Sequence, residues 1–62
     1  MNFYKNGKDT YFCDDPRFII IKDFSRSWGV FEATDKPGNF IRVSGFCYLK
    51  DAKADVKRRA KA

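Results

Sequence analysis

The sequence predicts an α+β domain in which a small antiparallel three-stranded sheet, open to extension by an N-terminal hairpin, packs on one C-terminal amphipathic helix. Three observations predict it. Short runs rich in β-branched and aromatic residues, at 18–22, 28–34 and 40–44, are separated by Gly, Pro, Asn and Asp, as strands are by tight turns. From Leu49 onward the apolar period lengthens, with Leu49, Ala52, Val56 and Ala60 at i, i+3, i+7 and i+11 on one stripe of a helix. A length of 62 residues leaves room for one core and no second domain. The expected organisation is a single domain over 1–62, with a hairpin and loop over 1–17, a meander over 18–44 and the helix over 48–62.

Taken in order, the N-terminal segment sets Asn6-Gly7 between two aromatic runs, and Asn-Gly tolerates the positive φ angles of a two-residue hairpin turn. Strands over 2–5 and 8–12 are expected on either side. Asp14-Asp15-Pro16 breaks the second strand, because proline has no amide hydrogen and restricts the residue before it. FIIIK at 18–22 is a short buried strand, and a polar turn is expected over 23–27. Asp35-Lys36-Pro37-Gly38-Asn39 reverses the chain between the last two strands of the meander. In the helix, Asp51 near the start and Lys57-Arg58-Arg59 near the end both suit the macrodipole, and the end of the charged tail over 57–62 is expected to fray.

Because side chains alternate along a strand, the helix can cover only one sheet face. The reading places Ile19, Ile21, Phe31, Ala33, Ile41 and Val43 under the helix, with Phe46 closing one end of the core. The other face then carries Phe18, Ile20, Lys22, Trp28, Val30, Glu32, Phe40 and Arg42, an apolar surface larger than a monomer usually leaves bare. Two coverings are open: the N-terminal hairpin folding back with Phe3, Tyr4, Tyr11 and Phe12, or a partner surface on Phe18, Ile20, Trp28 and Phe40, whether a second copy of the chain or another protein.

Thirteen Lys and Arg against eight Asp and Glu give a net charge of +5, which favours polyanions or acidic protein surfaces as partners. The densest positive region is Lys50, Lys53, Lys57, Arg58 and Arg59 with Lys61, and Lys22 and Arg26 extend it toward the first turn of the meander. Trp28 is the one residue of its type and a candidate for stacking on a base. Two cysteines and no histidine exclude the four-ligand structural zinc sets and histidine-containing triads. Cys13 and Cys47 read as packed thiols in preference to a disulfide. Asp9, Asp14 and Asp15 read as turn residues and not as a metal site. No catalytic residue, metal or cofactor is expected. No run approaches 18 apolar residues and no signal-peptide pattern stands at the N-terminus, so no membrane contact and a cytoplasmic location are expected.

Gly45-Phe46 followed by Lys50-Asp51-Ala52, together with Trp28-Gly29, resembles the AP2-like and integrase arm-type DNA-binding domains over residues 18–60. In those domains three antiparallel strands precede one helix, the third strand runs into a Gly-Phe step, and an Ala after a polar turn packs on the sheet. The resemblance implies that polar and basic side chains of an exposed sheet face enter the DNA major groove, a role that would fall on Lys22, Arg26, Trp28, Glu32 and Arg42.

The function expected is a small basic nucleic-acid-binding accessory or regulatory protein, with DNA as the favoured partner and homodimerisation open. The alternative is a non-enzymatic protein-binding modulator or inhibitor that uses its apolar sheet face or basic helix. By analogy, stand-alone chains of this size resemble accessory proteins of phages or mobile elements.

Overall fold

A computed structural model describes residues 1–23 and 26–61 of the chain. Its strands are β1 (Phe3–Lys5), β2 (Thr10–Cys13), β3 (Phe18–Lys22), β4 (Trp28–Ala33) and β5 (Phe40–Phe46), followed by the helix α1 (Leu49–Ala60). The strands form one antiparallel sheet in the order β1-β2-β3-β4-β5, with the helix packed on one side of it. The turn expected over 23–27 includes residues 24 and 25, and the expected helix end includes residue 62; these three lie outside the described residues.

The N-terminal hairpin has a longer loop than expected, and it takes one of the two placements that the sequence left open. The Asn6 amide donates to the Thr10 carbonyl at 2.8 Å and Lys5 pairs with Tyr11, so the loop is four residues, 6–9, with Gly7 at a φ of 76°. The hairpin also does not fold over the sheet. It extends it, with Tyr11 opposite Ile20 and Phe12 opposite Ile19, because the free edge of β3 offers backbone groups that a strand satisfies and a covering loop would not.

In β3 and β4 the faces are the reverse of those expected, whereas β5 keeps its expected parity, with Ile41 and Val43 toward the helix side and Phe40 and Arg42 away from it. The buried core is Phe18, Ile20, Val30, Ala52 and Val56, so the helix covers the parity of Ile20 and Val30. Ile19 and Phe31 pair on the opposite, uncovered face, Ile41 is 57 % exposed, and only Val43 of the expected under-helix set packs on the core. The physical reason is a register shift between Val30 and Phe31. Val30 pairs with Ser44 whereas Phe31 pairs with Arg42, so Val43 is an extra residue, and Val43, Ser44 and Phe46 all serve the helix side. Strict alternation assigns Val43 and Phe46 to opposite faces, and the bulge removes that conflict.

On the uncovered side, Gly29 and Gly45 form a floor across which the Arg42 side chain lies to reach Asp23 Oδ2 at 3.0 Å. A methyl group at Gly45 would meet the far end of the Arg42 guanidinium. Gly45→Ala is therefore expected to displace Arg42 and weaken its pair with Asp23, at a cost under about 1 kcal/mol because both partners are partly exposed. Chemical denaturation against the parent protein measures this.

The helix presents the expected stripe to the core: Ala52 and Val56 are fully buried, with Leu49 and Ala60 half-buried beside them. Tyr48 occupies the N-cap without a side-chain cap, its carbonyl accepting from the Asp51 and Ala52 amides. What locks the helix to β5 is Asp55. Its carboxylate accepts from the Ser44 hydroxyl at 2.7 Å, from Arg59 Nε at 2.7 Å and from the Arg58 guanidinium, and its side chain is 3 % exposed. Burial alone would raise this carboxyl, but donation from Arg59, Arg58 and Ser44 outweighs it and lowers the pKa to about 2.

Candidate nucleic-acid interface

The helix and its C-cap bear four lysines, Lys50, Lys53, Lys57 and, at the cap, Lys61, at i, i+3, i+7 and i+11, a spacing that keeps them on one flank. Contacts of Lys53 fix which flank it is. Lys53 Nζ stands 5.4 Å from the Phe3 ring centroid and 5.1 Å from that of Tyr11, so the lysine row faces the N-terminal hairpin. Tyr11 meets Trp28 edge-on at 5.7 Å, and Lys22 Nζ lies 5.6 Å from the centre of Trp28. Lys5 stands beside Tyr11 through the β1–β2 register. The result is a continuous band in which ammonium groups alternate with half-buried aromatic rings, running from Lys22 over Trp28, Tyr11 and Phe3 to the helix.

The sheet forms this band because the helix covers only part of it. The helix packs on β3, β4 and β5, and the hairpin strands project beyond its edge. Phe3 and Tyr11 therefore rest against the flank of the helix and not beneath it, and the lysine stems complete the burial of their rings while the charged ends stay in water. At the helix N-terminus Lys50 Nζ lies 5.8 Å from the ring of exposed Tyr48. At the other end Lys57 and Lys61 share an open cleft of about 620 Å³ with Asp14 and Asp15, so the positive band ends there. Both carboxylates are engaged: Asp14 accepts from Tyr4 Oη at 2.7 Å and the Asn2 amide at 2.9 Å, and Asp15 takes Arg17 through Nε at 3.0 Å and a terminal guanidinium nitrogen at 2.7 Å.

The cations divide by type. Arg17, Arg42, Arg58 and Arg59 are each paired with an aspartate, and among the described residues no lysine forms a salt bridge. The expected basic cluster is thus split. Lys22, Trp28, Lys50, Lys53 and Lys57 are brought together on the band, whereas Arg58 and Arg59 are committed to Asp55. Arg26 stands exposed in the β3–β4 connection at a φ of 63°. Lys22, Trp28 and Glu32 belong to the helix-side parity, and Arg42 lies on the opposite face, so these do not share one exposed sheet surface.

The surface expected for a protein partner is also not assembled. Phe18 and Ile20 are 3 % and 1 % exposed beneath the helix, Trp28 is half-buried, and Phe40, 41 % exposed, is on the other side of the sheet. Cys13 is half-buried and hydrogen-bonds the Asp15 carbonyl at 3.1 Å, with burial raising its thiol pKa. Cys47 is an exposed free thiol and not the packed one expected, since it lies beyond the end of β5. Lys5 is a band residue that sequence reasoning did not single out, and Phe3 and Tyr11, expected as a cover for the apolar sheet face, lie in the band instead. Placing all three required knowing that the hairpin joins the sheet edge, whereas Lys61 belongs to the basic region the sequence already outlined.

No family model matches the chain, and no curated protein or solved structure matches it significantly.

Proposed function

We propose that the protein is a small basic nucleic-acid-binding module, acting as an accessory or regulatory protein without catalysis, and that it binds through the lysine–aromatic band. The observation that carries this reading is the division of the cations. Four of the five arginines are held by internal aspartates, Arg26 being the exception, while among the described residues Lys5, Lys22, Lys50, Lys53, Lys57 and Lys61 form no salt bridge and stand on one side of the molecule. Unpaired ammonium groups on a shared flank are the electrostatic footprint that a phosphate backbone meets, and each neutralised phosphate releases counterions. The aromatic rings between them offer edges and partial faces to bases or sugars, a sequence-tolerant contact. DNA is the partner to test first.

Binding to mixed-sequence duplex is expected to fall steeply with salt, with a logarithmic slope of about 0.9 per phosphate contacted. Replacing Lys22, Lys53 and Lys57 together by Ala is expected to reduce the slope by about 2.7 while the domain stays folded. Arg42→Ala, on the other face, is expected to leave the slope unchanged. Fluorescence anisotropy of a labelled duplex between about 50 and 200 mM salt measures all three proteins. No binding at the low end of that range would contradict the reading and turn attention to an acidic protein surface as the partner of the same lysines.

A further inference from the structure

The uncovered sheet face carries a second message. The register aligns Tyr4, Phe12, Ile19 and Phe31 in one row across four strands, with Ile21 and Phe40 in the rows beside it. Tyr4, Phe12 and Phe40 are 53 %, 41 % and 41 % exposed. We propose that this face is where a second copy of the chain stacks, sheet on sheet, to form a symmetric dimer.

Three observations point to a copy of this chain as the occupant. The first is charge. The charged groups on the face lie toward its two edges and are already satisfied within the chain, Arg42 by Asp23 and Asp14 by Tyr4 and the Asn2 amide. The centre of the face is therefore neutral and apolar within a polar rim, the composition of a homodimer interface. It offers no charge for selecting a foreign partner. The unpaired helix lysines that would make copies repel lie on the helix side, so stacking the open faces keeps them apart.

The second is the size of the core. Among the described residues five apolar side chains are buried, and the chain exposes 4508 Å², against roughly 4,100 Å² expected for a folded monomer of this mass. Domains this small are commonly stabilised by disulfides, a metal or association. Both cysteines are free, and among the described residues no group able to hold a metal ion is present, so association is the remaining one of these three devices.

The third is area. A five-stranded face, at ~4.8 Å between strands and ~3.4 Å per residue along them, lets two copies bury on the order of 1,000 Å² in total, the lower bound for a specific interface. A reversible dimer of modest affinity is the consequence.

Sedimentation velocity of the full chain over a concentration series from about 1 µM to about 1 mM tests this. The expected result is a concentration-dependent shift from the 7.2 kDa chain to twice that mass. Phe12→Lys places like charges in the stacked centre and is expected to weaken dimerisation about 30-fold or more with an unchanged circular dichroism spectrum. Should that variant unfold, Phe40→Lys, at a more peripheral exposed position, is expected to weaken the dimer in the same direction. A single 7.2 kDa species at every concentration, or a dimer indifferent to the folded variant, would overturn the proposal. So would an oligonucleotide, in place of dilution, being what shifts the amide resonances of Phe12 and Phe31. A failed dimer leaves the lysine band untouched, since the two lie on opposite sides of the sheet.

Discussion

Ile20→Ala is expected to unfold most of the population at room temperature. Ile20 is 1 % exposed and sits in the core with Val30, Ala52 and Val56, so truncation costs the transfer of its lost carbons plus the cavity they leave, about 2 to 5 kcal/mol. A core this small supplies about 3 to 5 kcal/mol in all. The neighbouring Ile19→Ala removes the same atoms from the uncovered face, where the side chain is half-buried, and is expected to cost about 1 kcal/mol. Urea unfolding of the two variants, at a protein concentration low enough to keep the chain monomeric, compares them directly. Equal losses would contradict the assignment of faces.

Asp55→Ala ranks second. It removes the acceptor shared by Ser44, Arg58 and Arg59 and so detaches the helix from β5, at an expected cost of about 2 kcal/mol. The pH dependence follows from the lowered pKa of about 2 against an ordinary value of 3.8. A depressed carboxyl stabilises the fold fully above the unfolded value and loses that contribution as pH falls from 3.8 toward about 2. The difference corresponds to about 2 kcal/mol, in line with the truncation. Asp14 and Asp15 are also held below the ordinary carboxylate range, by the hydrogen bonds of Tyr4 and Arg17, and share the acid window. Asp55→Asn is expected to remove only its own share, flattening the stability curve between pH 4 and 2; a parallel curve would show that Asp55 is not the acid-sensitive contact. Replacing Arg58 and Arg59 is likewise expected to lower stability, because both donate to Asp55.

The elements themselves were legible in the residues. FIIIK, the Pro-Gly reversal before Phe40 and the 3.6-residue stripe from Leu49 to Ala60 each have a local cause, and each element stands where that cause puts it. The face assignment was not legible, because FIIIK is apolar on both parities and the deciding feature is a bulge at Val43, produced by pairing across strands and not by any local pattern. Asp55 was hidden for a similar reason. On the helix it reads as one more acid on a charged surface, and only its alignment with Ser44 of β5 makes it a buried anchor that withdraws Arg58 and Arg59 from the basic cluster. The lysine row was visible as spacing. Its aromatic counterpart, Phe3 and Tyr11, depended on the hairpin joining the sheet edge instead of covering it.

Titration of the isotope-labelled protein with a short mixed-sequence DNA, followed by amide and lysine side-chain resonances, tests the central claim most directly. Lys22, Trp28, Tyr11, Phe3 and Lys53 are expected to shift together and to saturate together, while Arg42 and Phe31 on the other side of the sheet stay in place. Shifts confined to Phe12, Phe31 and Arg42, or no shifts at low salt, would contradict it.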